Sequence, residues 1–171
     1  FLIKCAELTR TGVGLPAYYN DEVIIPALMS RGVTLADARE YGIIGCVEPQ
    51  KPFKTDGWHD AAFFNMCRPL ELVFSNGVDK GAQISIKTGN VEDMTTFEEF
   101  YNAYKAQETY MIGLMVNAIN AIDTAHSERV PLPFLSCMVE DCVKEGKTVQ
   151  EGGAHYNFTG PQGFGIANMA D

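Results

Sequence analysis

The sequence has no apolar run long enough for a membrane. A spanning helix needs about 18 to 20 consecutive apolar residues, and the greasiest stretch, Met111 to Ile122, is short and carries Asn117 and Asn120. Positive charge is scarce too. Thirteen Lys and Arg stand against 22 Asp and Glu, a net charge of −9. A nonspecific nucleic-acid binder needs a basic surface, and attraction to an anionic bilayer needs the same, so neither partner is expected. Cys5, Cys46, Cys67, Cys137 and Cys142 are odd in number, and no two have C-x-x-C spacing, which excludes a zinc ribbon or a thioredoxin-type motif. Free thiols in a reducing cytoplasm is the economical reading. No basic segment followed by a small-residue cleavage site opens the chain, so secretion is not expected. Internal repeats, low-complexity tracts and Pro/Ser-rich linkers are absent.

What is present suits one folded domain. The 171 residues are 46% apolar and 20% charged, which is globular composition. A compact chain of this size can bury on the order of two-thirds of its unfolded surface. The first residue is Phe1, and Gly163 to Asp171 has no polar tail; an internal piece of a longer protein is expected.

Local patterns predict an α/β chain with helix in excess. Phe1 to Leu8 reads as the end of a helix, and Thr11 to Pro16 as a loop or short strand. Asn20 or Asp21 caps a helix to about Ser30, with Pro26 early in it and Gly32 beyond its end. Thr34 caps a short helix through Glu40, ended by Gly42. Ile43-Ile44 is a buried strand tip, and Gly45 to Gly57 a loop. A helix is predicted from about His59 to Ser75, then irregular chain to Val91 with a short strand at Gln83 to Lys87. Phe97, Phe100, Tyr101, Tyr104, Met111, Met115, Ile119 and Ile122 recur at helical spacing and predict a long helix from about Thr96 to Ala125. Its second half is apolar almost all round, so it is expected inside a larger body. Ser136 to Gly146 reads as a further helix and Tyr156 to Thr159 as a short strand.

The chemistry-bearing stretch is Gly45-Cys46-Val47-Glu48-Pro49-Gln50. Pro49 pushes Glu48 into extended conformation, and residues two apart in an extended segment face the same side. Cys46 and Glu48 are therefore expected on one face of a strand-to-loop junction, with Gly45 allowing close approach. A neighbouring carboxylate disfavours the thiolate, which is wrong for a nucleophilic cysteine. It suits a thiol that gives and takes hydrogen atoms while the carboxylate moves a proton. The bland alternative is a buried structural cysteine beside a surface glutamate.

Gly45-Cys46-Val47-Glu48-Pro49 resembles the thiyl-radical motif of the glycyl radical enzymes, the pyruvate formate-lyase family. Leu15-Pro16-Ala17 and Asn20-Asp21-Glu22 through Ala27-Leu28 resemble the stretch before that cysteine. Asp37 to Gly42 resembles its lead-in, and Asn65 to Gly77 and Gly153 to Asn157 resemble stretches beyond it. The likeness covers essentially the whole chain. It implies an α/β fold, part of a ten-stranded barrel of two half-barrels wrapped by helices, with the cysteine on a central loop. Residues 1–171 would be part of a single catalytic domain.

Pyruvate formate-lyase itself carries two adjacent cysteines where this chain has Cys46-Val47, which argues against acyl transfer from pyruvate. The single cysteine matches the eliminating branch: glycerol and propane-1,2-diol dehydratases, choline trimethylamine-lyase, and relatives acting on hydroxyproline or isethionate. Trp58-His59-Asp60 leans towards a diol, because an aspartate similar in position to Asp60 holds a substrate hydroxyl in the glycerol dehydratase branch. As a plain sequence feature, Asp60 is a helix cap, and His59 is not expected to be catalytic.

The resemblance further implies catalysis by Cys46 and Glu48 and dehydration of a small diol to an aldehyde, with no B12 and no bound metal. A separate radical S-adenosylmethionine activating enzyme places the radical on a backbone glycine, in an Arg-Val-x-Gly-Tyr-like loop near the family's C-terminus. That glycine radical domain is absent here; Gly160-Pro-Gln-Gly-Phe-Gly165 does not match it. This chain alone is therefore expected to be inactive. The full-length protein is expected to be a cytoplasmic homodimer, with a bacterial microcompartment as the other location.

Remaining signals point to structure. His126 and His155 lack metal-ligand spacing, Cys67 reads as core, and Cys137 and Cys142 as unrelated. A Cys46, His155, Asp60 hydrolase is opposed by Glu48 beside the thiol. Gly12-Val-Gly14 lacks the third glycine of a phosphate loop.

Overall fold

Three helices in this chain begin at side chains that cap them. The computed structural model describes all 171 residues, Phe1–Asp171. Helix α1 is Leu2–Thr9. Helix α2, Asp21–Ser30, is capped by Asn20, whose Oδ1 accepts from Glu22 N at 3.0 Å. Pro26 is its sixth residue, past the first turn, so Glu22 loses its helical donor; the expectation that Pro26 sits in the tolerant opening turn does not hold. Helix α3, Leu35–Arg39, is capped by Thr34 through Asp37 N at 3.2 Å. Gly42 opens the next strand instead of ending this helix.

The eight strands are short and pair two by two. Strands β1 (Gly42–Ile44) and β2 (Glu48–Gln50) form an antiparallel hairpin, so the segment expected to be loop after Cys46 contains a return strand. Strand β3 (Thr55–Asp56) pairs in parallel with β7 (Tyr156–Asn157). Strand β4 (His59–Asn65) pairs in parallel with β8 (Gly160–Phe164), with an irregularity between His59 and Phe63. Strands β5 (Val78–Asp79) and β6 (Ala82–Gln83) close a small hairpin.

Strand β4 overturns the helix predicted from His59. The run Ala61-Ala62-Phe63-Phe64 fits either period, and pairing with β8, distant in sequence, decides for extended chain. The helix α4 is only Cys67–Phe74, and Gly77 follows its end at φ +81. The long helix α5, Phe97–Arg129, spans 33 residues, about 50 Å. It opens on a capping box between Thr96 and Glu99. Short helices α6 (Pro133–Ser136), α7 (Cys142–Glu145) and α8 (Ile166–Ala170) complete the chain; the first two replace the single helix expected over Ser136 to Gly146.

The buried side chains do not merge into one core. Leu28, Val33, Ala38 and Tyr156 gather α2, α3 and β7; Val73, Ala103 and Tyr104 join α4 to α5; Cys142, Val149 and Ala154 form a third group. Beyond Met111, α5 leaves Ile112, Leu114, Val116 and Ile122 exposed and buries Ile119 alone. No helix is long and apolar enough to cross a membrane.

Candidate active site

The hairpin of β1 and β2 turns through Gly45, Cys46 and Val47, since Ile44 is opposite Glu48 in the register. Cys46 is therefore the tip of a tight turn. Gly45 adopts φ +60, and a Cβ there would lie 2.8 Å from Glu48 Oε2, so glycine is required both for the turn and for room beside the carboxylate. The Tyr19 hydroxyl donates to the Cys46 carbonyl at 2.7 Å and anchors the tip from outside the hairpin.

Glu48 is extended, as the proline after it requires. Cys46 is in the turn, not in extended chain, so the two do not simply alternate along one strand. Instead the Glu48 carboxylate folds back onto the turn: Oε2 accepts the N–H groups of Cys46 at 2.9 Å and Val47 at 3.0 Å. These bonds, that of Val47 foremost, hold the Glu48 carboxyl below the usual glutamate range despite its burial. The bland reading fails in an instructive way, because the thiol is exposed and the carboxylate is buried.

Asp60 is not at a helix mouth. It lies within β4 at φ +59, a left-handed position uncommon for a non-glycine residue. Its Oδ1 accepts from Nε2 of Gln162, and the same nitrogen donates to Glu48 Oε1 at 2.7 Å. Gln162 comes from β8, 102 residues after Asp60. Sequence reasoning missed it, since Gly160-Pro-Gln-Gly reads as punctuation between elements. The only signal that could have found it was pairing between β4 and β8.

His59 is enclosed. Nε2 faces Gln50 Oε1 at 3.2 Å, a Cβ at Gly57 would land on the imidazole, and one at Gly160 would lie 3.1 Å from Nδ1. A cavity of about 350 Å³ opens over this group, walled by Glu48, Gln50, Thr55, Asp56, His59 and Asp60 among others. Burial pushes the Asp56 carboxyl up. Thr55 Oγ1 is buried without a hydrogen-bond partner. A cavity with several carboxylates on its wall suits a small polyhydroxylated ligand. Wider hollows of about 570 Å³ lie elsewhere, beside Gly89 and Asn102 and beside Phe53 and Val143. In the first, the Glu99 carboxylate is already used in the capping box.

His155 is not near this group's hydrogen bonds: its Nδ1 meets Asp141 Oδ2 at 2.6 Å, which removes it from a triad with Cys46 and Asp60. Glu140, Asp141 and His155 do bring ligand atoms within 4.8 Å of one another, which spacing alone did not reveal. Ammonium groups already occupy that cluster, Lys54 at 3.6 Å from Glu140 and Lys144 at 3.6 Å from Asp141. His126 stacks edge-on against Trp58 at 5.3 Å. Cys67 is half-buried, its thiol donating to the Gly165 carbonyl at 3.4 Å.

Comparison with known proteins gives a consistent result. The family model for pyruvate formate lyase-like proteins matches residues 1–171. A solved structure from Roseburia inulinivorans, described for 1,2-propanediol dehydration, is 70% identical over 99% of this chain, with a TM-score of 0.90. The glycerol-bound B12-independent glycerol dehydratase of Clostridium butyricum is 65% identical over 98%, with a TM-score of 0.89. The (2S)-3-sulfopropanediol dehydratase of Klebsiella oxytoca is 39% identical over 99%. The chain spans 21% of the length of each of these three proteins.

Proposed function

Because the chain belongs to the pyruvate formate lyase-like family, whose model matches it from end to end, we propose that it carries the reacting thiol and carboxylate of a glycyl radical dehydratase acting on a small vicinal diol. Glycerol and propane-1,2-diol are the substrates. In this reading residues 1–171 are part of one catalytic domain, their strands contribute to its barrel, and the radical glycine is carried elsewhere in a longer protein. The observation that carries the reading is the exposed Cys46 at a hairpin tip, with the buried Glu48 carboxylate bound to the N–H groups of that same turn.

Each side chain has a task its environment fits. The glycyl radical, when installed by a radical S-adenosylmethionine activating enzyme, supplies the oxidising equivalent that takes the hydrogen atom from the Cys46 thiol. Sγ then removes a hydrogen atom from the hydroxyl-bearing carbon of the diol and returns it to the neighbouring carbon of the product. Glu48 is held as a carboxylate by its N–H partners, so it is ready to accept the proton of the hydroxyl on the reacting carbon. The departing hydroxyl needs a proton to leave as water, and the one Glu48 has taken balances it; diol becomes aldehyde plus water with no net redox change. Asp60 orients the second hydroxyl from the same cavity. Closing that cavity against water and oxygen protects the intermediates. The vicinal diols named for the three related proteins support this substrate class. Cytoplasmic location fits the five free cysteines, and a homodimer is the expected assembly of the full protein.

The test uses the full-length protein, activated without oxygen and offered glycerol, propane-1,2-diol, choline, isethionate and hydroxyproline separately. Aldehyde from the diols alone is expected. Turnover confined to one of the other substrates would overturn the diol assignment.

A further inference from the structure

Gln162 is the one side chain that touches both carboxylates. Its Nε2 carries two N–H groups, and both are used: one on Glu48 Oε1 at 2.7 Å, the other on Asp60 Oδ1. The two carboxylates come from separate elements, Glu48 from β2 and Asp60 from β4, and the bridge comes from a third, β8. Two carboxylates aimed into one cavity repel, and the usual relief is for one to take up a proton. A lysine or arginine in that position would relieve the repulsion by pairing with the acids, leaving both less free to act as acceptors. A neutral amide does something different: it donates to each without adding charge.

We propose that Gln162 is a positioning residue for the diol reaction, holding the Glu48 and Asp60 carboxylates at a fixed separation and orientation on the cavity wall. This rests on the function proposed above. Other titratable groups facing the pair are His59, whose imidazole favours the Glu48 anion, and Asp56 across the cavity; Cys46 meets Glu48 through its backbone N–H. Ile44, Trp58 and Leu135 are the cavity's apolar lining. Among these groups, Gln162 alone donates to both acids. Glu48 keeps the Cys46 and Val47 N–H groups when Gln162 is removed, whereas Asp60, on the hydrogen bonds seen here, keeps no side-chain donor.

The experiment is steady-state kinetics of the activated full-length protein carrying Gln162→Leu, with Gln162→Glu as the isosteric second variant, read as KM against kcat. KM for the diol should rise by about tenfold as Asp60 loses its aim. Gln162→Glu keeps the volume, removes both donors and adds a third acid that repels the other two, so its KM should rise further. Radical content measured by electron paramagnetic resonance shows that each variant is folded and activated; if Gln162→Leu fails that check, the isostere decides. An unchanged KM in the variant that activates would overturn the role of Gln162. The control that separates this from the underlying function is Cys46→Ser. Diol turnover surviving Cys46→Ser sinks the dehydratase reading, whereas turnover lost there but indifferent to position 162 sinks only the bridge.

Discussion

The chain holds two clusters of acids, and they are neutralised by different means. Glu48 and Asp60 are joined by a neutral amide and by backbone N–H groups, and they wall a cavity. Glu140 and Asp141 are met by Lys54, Lys144 and His155. The second arrangement is an ordinary ionic surface: charge meets charge and no acceptor is left poised for a substrate. In the first, both carboxylates take neutral donors and no ammonium or guanidinium pairs with either. Neutral donors alone do not mark a reactive acid, since Glu99 has them in a capping box; what sets Glu48 and Asp60 apart is the amide they share, beside the exposed Cys46.

Substitutions can break that contrast, beginning with the largest effect. Cys46→Ser in the activated full-length protein should reduce diol turnover to background, while Cys137→Ser, an exposed thiol by the second cluster, should leave it unchanged. Glu48→Gln keeps the volume and removes the base. A drop in kcat of about 10² to 10⁴ is expected from loss of general-base catalysis. Asp60→Asn should act mainly on binding, raising KM about tenfold with a smaller change in kcat; steady-state kinetics on glycerol separate the two. Gly45→Ala forces a Cβ into φ +60, against Glu48 Oε2. It should cost about 1 to 2 kcal/mol of stability, read from the denaturation midpoint.

The second cluster should give the smallest effects. His155→Ala should leave kcat and KM as they are. Its hydrogen bond to Asp141 is the main reason that the Asp141 carboxyl is held below the usual aspartate range. A depressed folded pKa adds stability above the unfolded value, about 3.9, and that stability is lost as pH falls through the folded pKa. Melting temperatures measured from pH 6 down to 2 should show a shallower acid decline in Asp141→Asn than in the native protein.

Local chemistry was readable in the sequence and distant pairing was not. Asn20, Thr34 and Thr96 announce their helices because capping is a matter of three residues. The thiol and carboxylate were visible because Cys46, Glu48 and Pro49 are near neighbours, and Pro49 fixes the extended backbone of Glu48. Asp60 was picked out but placed on a helix, since Ala61 to Phe64 carries no period of its own; the partner that makes it a strand lies about a hundred residues on. Gln162 was invisible for the same reason. The apolar second half of α5 was expected inside a larger body, and within this chain it remains uncovered at Ile112, Leu114, Val116 and Ile122.

The most direct test tracks a hydrogen atom. Propane-1,2-diol bearing deuterium on its terminal hydroxyl-bearing carbon is given to the activated full-length protein in ordinary water. If Cys46 removes and returns the same atom while Glu48 handles only the hydroxyl proton, the aldehyde carries one deuterium on the carbon next to its carbonyl. An aldehyde whose hydrogen at that carbon comes from water, or no aldehyde in a sample with a full radical signal, would contradict the account.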